Sequence, residues 1–229
     1  MNEETKFRLL GLSTGNLVAW QSQETALVHE EIKDDLQDLV RAAEKNGFRL
    51  VVASGFRHFE RQRALWNEKL QYRRPVLDEK GHLVTLEDKS PKQKLEALLR
   101  FSALPGLSRH HWGTDVDVFN AAALRPEERI QLTPQEAQEG GSQASFCQWL
   151  ASALDQSAFF RPYDKDRGGV YPEWWHLSHR EKANALWQQH HSSLVLEHLA
   201  HGVELELLEA VREHMNWIFK NYFRNIQSG

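Results

Sequence analysis

The sequence predicts a mixed α+β fold that ends in a helical C-terminal extension. Apolar residues recur at helical spacing over residues 24–45, whereas residues 49–53 and 114–119 have the composition and alternation of short strands. Beyond His179 the chain has helical character almost to its end. A length of 229 residues suits one large domain, or one domain with an appendage.

The first half of the chain alternates between helical and extended segments. The predicted segments are, in order, a helix over 24–45 that stops at Gly47, a strand over 49–53, a turn over 54–57, a helix over 59–71, a hairpin over 76–86 with its tip at 78–81, and a helix over 91–103. Ser90 and Pro91 supply the N-cap and the first position of that last helix, and Pro105-Gly106 ends it.

The second half begins with a predicted strand over 114–119. In this strand Asp115 and Asp117 share one face, and Val116 and Val118 share the other. The following segments are a polar loop over 125–141 with a short helix opened by the capping-box pattern at 133–136, a helix over 146–154, and strands over 159–163 and 173–178 that are joined by a loop containing Gly168-Gly169.

Composition excludes several classes of protein. The 28 Lys and Arg against 32 Asp and Glu give a net charge of −4, so a basic surface for nucleic acid or anionic membrane is not expected. The longest apolar stretches are too short to span a bilayer. A single cysteine, Cys147, excludes an intrachain disulfide, and it is expected to be a small buried hydrophobe. The first residues lack the pattern of a secretory signal, so we expect a cytoplasmic protein.

Two short segments carry the residues that suggest chemistry. His110 and Asp117 are seven positions apart, and Glu173 and His176 are three apart. Two imidazoles and one carboxylate suit a catalytic zinc, and a second carboxylate close by suits a general base for water. Manganese, cobalt or nickel would also accept these ligands. Each segment alone is weak, because most histidines bind no metal and because Glu173 and His176 converge only if the chain bends.

Together, three motifs resemble a known family. The segment Ser54-Gly55-Phe56-Arg57, the pattern Ser-x-His-x-x-Gly-x-x-x-Asp at 108–117 and the pattern Glu-x-Trp-His at 173–176 have the order and rough spacing of the VanY-type D-alanyl-D-alanine carboxypeptidases. These belong to the LAS group of zinc peptidases, which has lysostaphin-like and hedgehog-like members. The resemblance covers about residues 25–180 and implies a small antiparallel sheet with helices packed on it.

The resemblance also implies roles for particular residues. His110, Asp117 and His176 would hold one zinc ion, and Glu173 would be the general base that later protonates the leaving amine. Arg57 would stabilise the oxyanion. Gln62 and Ser108, in the flanks of the motifs, would contact the substrate.

One residue departs from the family pattern. Asp115 occupies a position where the family commonly has alanine. Its carboxylate could hydrogen-bond a ligand histidine, accept a cationic group of the substrate, or point to solvent, and the sequence leaves these alternatives open.

The remaining histidines are not expected to bind metal. His111 should point away from the ion, and the others lie on polar, helical segments where they should be solvated: His179, His190, His191, His198, His201 and His214. We expect residues 1–180 to form the catalytic domain and residues 181–229 to form a helical extension. An apolar stripe over 203–223 would either pack on the catalytic domain or form a homodimer face, so the chain is expected to be a monomer or a homodimer.

The implied activity is that of a zinc-dependent carboxypeptidase acting on peptidoglycan-derived peptides or muropeptides. Because a cytoplasmic location is expected, L,D-carboxypeptidase action on tetrapeptides during muropeptide recycling is favoured. A D,D-carboxypeptidase or D,D-dipeptidase, an endopeptidase that cuts cross-links, and a non-catalytic zinc-containing binding module are the alternatives. Glu173 favours an enzyme, since a binding module needs no base.

Overall fold

The computed structural model describes residues 1–21 and 26–229. The α-helices in this part of the chain are α1 (Glu3–Leu10), α2 (Lys33–Lys45), α3 (Phe59–Leu70), α4 (Pro91–Leu99), α5 (Ala144–Ala153), α6 (Arg180–Gln189), α7 (Ser192–Leu199) and α8 (Leu208–Ile218). The strands are β1 (Leu17–Ala19), β2 (Leu27–His29), β3 (Leu50–Ser54), β4 (Asp115–Asn120), β5 (Phe159–Phe160) and β6 (His176–His179).

A four-stranded antiparallel sheet has the order β3-β4-β6-β5, and β1 pairs with β2 in a separate antiparallel ribbon. In β4, Val116 and Val118 are fully buried, and they pack with Leu177 of β6 in the core beneath the sheet. Asp115 and Asp117 therefore project from the opposite face. The α+β class with a small antiparallel sheet, predicted from the sequence, is confirmed.

Two apolar clusters hold the helices in place. One cluster joins the sheet to α2 and α5, and includes Leu36, Val40 and Phe146. The other joins α1, α3 and α4 to the helices that follow His179. Together they fix the sheet and the loops at its end, which carry the candidate site.

The start of the predicted helix over 24–45 is wrong. Its first position, Glu24, lies outside the described residues, and Leu27–His29 form β2 rather than helix. Helix α2 begins only at Lys33, after a 3₁₀ turn. Pairing with β1 and a hydrogen bond from the amide of Phe56 to the carbonyl of Leu27 (2.6 Å) hold this segment extended. Such long-range partners override local helical periodicity.

Other element boundaries also differ from the sequence prediction. Helix α4 has the predicted capping box of Ser90 and Gln93, but it ends at Leu99 instead of 103. The hairpin over 76–86 is reduced to one bridge between Leu77 and Leu83. Residues 173–175 form a turn, so β6 begins at His176.

The apolar stripe near the end of the chain is largely buried within the chain itself. Val211, Met215 and Ile218 of α8 lie in the cluster that also contains Leu95 and Leu98 of α4. The prediction that the histidines beyond His176 are solvated is wrong for two residues of this region. His179 contacts Asp35, and His190 is fully buried with Nε2 2.8 Å from the carbonyl oxygen of Gly106. Across the described ranges, no helix combines the length and the apolar character that crossing a bilayer requires.

Truncation of Ile218 should measure how strongly α8 is held. Ile218 is fully buried, so Ile218→Ala is expected to lower the free energy of unfolding by about 2–5 kcal/mol through lost burial and a residual cavity. The exposed Leu83 provides the control, because Leu83→Ala should change stability by at most about 0.5 kcal/mol. Equal denaturant midpoints for the two variants would contradict the packing described here.

Candidate metal centre

Antiparallel pairing brings two of the predicted ligands together. Asp117 of β4 lies directly opposite His176 of β6, and Asp115 lies opposite Ser178. Directly opposed residues of an antiparallel pair project from the same face. Residues 59 positions apart in sequence, Asp117 and His176, thus become neighbours on the face of the sheet that points away from the valine core.

His110 reaches the same point from a short 3₁₀ helix, Arg109–Trp112, that precedes β4. Gly113 ends this helix with a φ of +68°, and its carbonyl accepts a hydrogen bond from the amide of His29 (2.8 Å). A Cβ at position 113 would lie 3.0 Å from the backbone nitrogen of His29 in β2, so only glycine combines this backbone conformation with the close approach of that strand.

The spacing of the three side chains fits a single cation. Nε2 of His110 lies 3.3 Å from Oδ2 of Asp117, and Nδ1 of His176 lies 3.3 Å from Oδ1. Donors about 2.0–2.1 Å from a tetrahedral zinc would be about 3.3–3.4 Å apart. All three donor atoms lie within 4.8 Å of one another, and the buried Oδ1 of Asp117 has no hydrogen-bond partner among the described residues. These residues can hold a metal ion.

Hydrogen bonds behind the site select which nitrogen of each ring faces the cation. Nδ1 of His110 lies 2.8 Å from the carbonyl oxygen of Gly55, and Nε2 of His176 lies 2.9 Å from Oδ2 of Asp115. Each of these nitrogens donates its hydrogen to the oxygen, so Nε2 of His110 and Nδ1 of His176 keep their lone pairs for a metal. Arg109 donates from Nε to the same Asp115 oxygen at 2.8 Å.

Asp115 is fully buried, so it does not point to solvent. Its other oxygen accepts a hydrogen bond from the hydroxyl of Ser178 (3.1 Å). With His176 and Arg109, these contacts surround the carboxylate with donors. Asp115 therefore contacts His176 from behind the candidate site.

The electrostatics of the site keep the carboxylates of Asp115 and Asp117 ionised. Burial alone would raise the pKa of Asp117, but His110 and His176 outweigh burial and hold that pKa well below its usual value. Arg109 and His176 have the same effect on the pKa of Asp115. Burial would lower the pKa of His176, but the carboxylates of Asp115, Asp117 and Glu173 around its ring outweigh burial and raise that pKa. The negative charge of these carboxylates also favours a bound cation.

Substitution of Asp115 should weaken metal binding without removing a ligand. In Asp115→Asn, His176 loses a charged acceptor, and zinc affinity is expected to fall by about 10- to 100-fold. Buffered-metal titration would measure the dissociation constant. Asp38→Asn is the matched control because Asp38 is exposed, on α2, and away from the site. An unchanged zinc affinity in Asp115→Asn would show that the contact with His176 does not support the centre.

Glu173 reaches the same point because the chain turns between it and His176. The amide of His176 bonds the carbonyl of Glu173 (3.4 Å), and the amide of Glu173 bonds the carbonyl of Tyr163 (3.0 Å). This turn places Oε2 of Glu173 3.4 Å from Nδ1 of His176, the nitrogen that faces the cation position. The bend that the sequence required is therefore present.

Arg57 flanks the centre on the side of β3. A bulge between Val52 and Ser54 places Ser54 opposite Asp117, and the chain then turns through Gly55 to Arg57. The guanidinium donates to Gln62 (3.0 Å) and Ser54 (3.3 Å), and lies 3.9 Å from Asp117. It is thereby fixed beside the position of the cation.

These groups open into a cleft of about 420 Å³. Arg57, Gln62, Ser108, His110, Asp117, Glu173 and His176 line it, and Asp115 lies behind its wall. Sequence reasoning did not identify Lys69 and Tyr163, which also line the cleft. Tyr163 packs with its ring centroid 5.0 Å from that of His176. Lys69 follows Gln62 by seven positions on α3, a spacing that places both residues on one helix face.

Comparison with known proteins identifies a family model that matches most of the chain. The model of the family described as "VanY: D-alanyl-D-alanine carboxypeptidase" matches residues 25–182, which is more than half of the chain. An uncharacterised protein of Haemophilus influenzae is 47% identical over 68 residues, which are 30% of this chain and 47% of that protein. The chain thus spans about half the length of this relative.

Two solved structures are similar over most of the chain. One is a Glu-to-Ala variant of the vancomycin resistance D,D-pentapeptidase VanY from a VanB-type resistance cassette, in complex with Zn(II). It is 27% identical with a TM-score of 0.50, over 76% of this chain and 84% of that one. The other is VanYB in complex with D-alanine-D-alanine, 26% identical with a TM-score of 0.50, over 82% of this chain and 89% of that one.

Proposed function

The chain belongs to the VanY family of D-alanyl-D-alanine carboxypeptidases, and we propose on this premise that it is a zinc-dependent enzyme that removes the C-terminal D-alanine of peptidoglycan stem peptides. The observation that carries the proposal is the meeting of His110, Asp117 and His176 with Glu173 at 3.4 Å. Residues 1–180 would be the catalytic domain, and residues 181–229 a helical extension whose apolar stripe packs on it.

Zinc is the cation that this donor set suits best. Two neutral imidazole nitrogens and one carboxylate oxygen leave the fourth position of a tetrahedron open, which is the arrangement of catalytic zinc sites. When bound there, zinc supplies a Lewis acid that polarises the scissile carbonyl and makes water a stronger acid.

Glu173 would move the proton. Its carboxylate lies beside the cation position but is not one of the three ligands, so it is available as a base. It takes a proton from the attacking water as the C–O bond forms. It then returns that proton to the amide nitrogen as the C–N bond breaks, which releases D-alanine as a free amine.

Arg57 would face the oxygen on which negative charge develops. Its guanidinium is held by Gln62 and Ser54, so it needs no rearrangement during the reaction. Gln62 itself is anchored by a hydrogen bond from its amide nitrogen to the carbonyl of Ala103 (2.7 Å). With Ser108, which also lines the cleft, Gln62 would contact the peptide beside the scissile bond.

Two bonds are candidates for cleavage. Identities of 26–27% to a D,D-pentapeptidase and to VanYB with bound D-alanine-D-alanine support D,D-carboxypeptidase action on a pentapeptide. L,D-carboxypeptidase action on tetrapeptides in cytoplasmic recycling is the second candidate, and it stays a prediction from the sequence. Both reactions use the same machinery and release D-alanine. A non-catalytic zinc module is disfavoured because Glu173 would have no role in it.

Mass spectrometry of the products from tri-, tetra- and pentapeptide muropeptides, and from cross-linked dimers, would test the proposal. The expected result is release of D-alanine that stops when a chelator is added. Faster release from the pentapeptide would establish D,D action, and faster release from the tetrapeptide would establish L,D action. Cleavage of cross-linked dimers alone would identify an endopeptidase, and no release from any peptide would refute the proposal.

A further inference from the structure

Lys69 lies in the cleft but takes no part in the proposed reaction. On α3, Gln62, Leu65 and Lys69 line the cleft in succession. Seven residues of helix span about 10.5 Å along the axis, so Lys69 lies about two turns farther along the cleft wall than Gln62. The adjoining depression of about 350 Å³, which Lys69 also lines, continues past this point between residues 72–76 and 83–87.

The ammonium of Lys69 has no acidic partner among the described residues. Its hydrogen-bond partner is the neutral hydroxyl of Ser102. By contrast, Lys6 and Lys182 at the surface are paired with carboxylates, at 3.3 Å from Glu3 and 3.1 Å from Glu31. A partly buried cation without a counter-ion destabilises the free protein, so its position needs a reason other than folding.

The surroundings of Lys69 disfavour the charged form of its side chain. Burial lowers the pKa of Lys69 to about 8, and the nearby charges of Arg57 and Arg74 add to that effect, which the charge of Glu173 offsets only in part. Lys69 is therefore still mostly protonated at neutral pH. An anion that entered the cleft would relieve both the desolvation and the repulsion between the cations.

The other three side chains with permanent positive charge in the cleft wall are already matched. Arg57 lies 3.9 Å from Asp117 and bonds Gln62, Arg74 is paired with Glu68, and Arg109 is paired with Asp115 at 2.8 Å. Lys69 is thus the cleft cation with a charge left to offer. The anions of a peptide substrate are its carboxylates, and an ammonium binds a carboxylate by a charge-assisted hydrogen bond.

We propose that Lys69 binds a carboxylate of the substrate peptide and is a specificity-determining residue of this enzyme. The inference rests on the proposed carboxypeptidase function. The carboxylate is either the C-terminal one of the leaving residue or that of an acidic residue in the acyl part. The chemistry is the same in both cases, and the choice of peptides separates them.

The test uses the full chain loaded with zinc and three peptides that end in D-alanine. The first has a free C-terminus and an acidic acyl-side residue, the second has a C-terminal amide, and the third has glutamine in place of the acidic residue. Lys69→Met keeps the aliphatic stem and removes the charge, Lys69→Arg keeps the charge, and Lys45→Met is the exposed control. Turnover, calorimetric peptide binding and the melting temperature are measured for each.

On the first peptide, Lys69→Met is expected to raise KM by about 10- to 100-fold with little change in kcat, the size of a lost hydrogen bond to a charged group. Lys69→Arg should recover most of the affinity, and Lys45→Met should resemble wild type. If Lys69 binds the C-terminal carboxylate, wild type and Lys69→Met should have the same KM on the second peptide. If Lys69 binds the acidic residue of the acyl part, the two enzymes should have the same KM on the third peptide. Because no acidic partner is lost, the melting temperature of Lys69→Met should not fall.

An equal effect of Lys69→Met on all three peptides, or no effect on any, would overturn the inference while leaving the carboxypeptidase function in place. A fall in melting temperature, with a loss of kcat that Lys69→Arg does not restore, would make Lys69 a structural residue and also overturn the inference. If wild type neither cleaves nor binds any of the peptides, the proposed function fails and the inference fails with it.

Discussion

Replacing Glu173 by alanine is expected to lower kcat by about 10²- to 10⁴-fold, the range for loss of a positioned general base. The zinc content should stay the same, because the three proposed ligands, His110, Asp117 and His176, are unchanged. KM should change little, since the proposed role of the glutamate is to transfer a proton from the water to the leaving amine. Steady-state release of D-alanine and metal analysis of the purified variant would measure both quantities.

Two further variants make this experiment specific. Glu173→Gln keeps the size and the hydrogen-bonding reach of the side chain but cannot accept the proton, so it should be nearly as inactive as the alanine variant. Glu181→Ala on α6 removes an exposed glutamate and should leave the rate unchanged. A Glu173→Ala enzyme that retained substantial turnover would require a different base.

Removal of the metal should have an effect at least as large. Chelation is expected to abolish D-alanine release, and added Zn²⁺ should restore it. Loss of a residue that hydrogen-bonds a metal ligand typically lowers metal affinity by about 10- to 100-fold. Because His110→Ala removes a proposed ligand itself, its loss of metal affinity should be larger. Activity in this variant should not return at ordinary zinc concentrations.

Thermal unfolding gives a readout that does not depend on turnover. A ligand that binds the folded chain stabilises it by about 4 kcal/mol at a concentration 1,000 times its dissociation constant. Zn²⁺ should therefore raise the melting temperature of wild type and of Glu173→Ala, but not that of His110→Ala. His82→Ala serves as the control, since this histidine is exposed and is not among the residues that line the cleft. Full activity after complete metal removal would refute a metal-dependent mechanism.

Local sequence signals predicted the elements that depend on local physics. The apolar spacing of α3, the capping box at Ser90 and the alternation of β4 all specify structure within a few neighbouring residues. Chain segments whose conformation depends on distant partners were predicted poorly. Strand β2 is held extended by its pairing with β1 and by the hydrogen bond between Leu27 and Phe56. Phe56 lies in the turn after β3, more than twenty residues away in sequence from β2.

The two buried histidines show the same limit. His179 and His190 lie among polar residues in the sequence, and nothing in their local pattern indicates burial. His179 is buried because β6 pairs with β5, and His190 because its ring bonds the carbonyl of Gly106 and packs against Phe223, with 4.8 Å between the ring centroids. Lys69 escaped notice for a similar reason, since only the folded chain places the end of α3 against Ser102 at the cleft.

Three short motifs in the sequence indicate the family and the types of residue at the candidate site. The folded chain adds which nitrogens of His110 and His176 face the cation position, that Asp115 contacts His176, and that the carboxylate of Glu173 reaches the same point. A motif specifies side chains, whereas the pairing of β4 with β6 and the turn before His176 specify distances. Those distances arise from contacts between residues that are remote in sequence, and no local pattern encodes them.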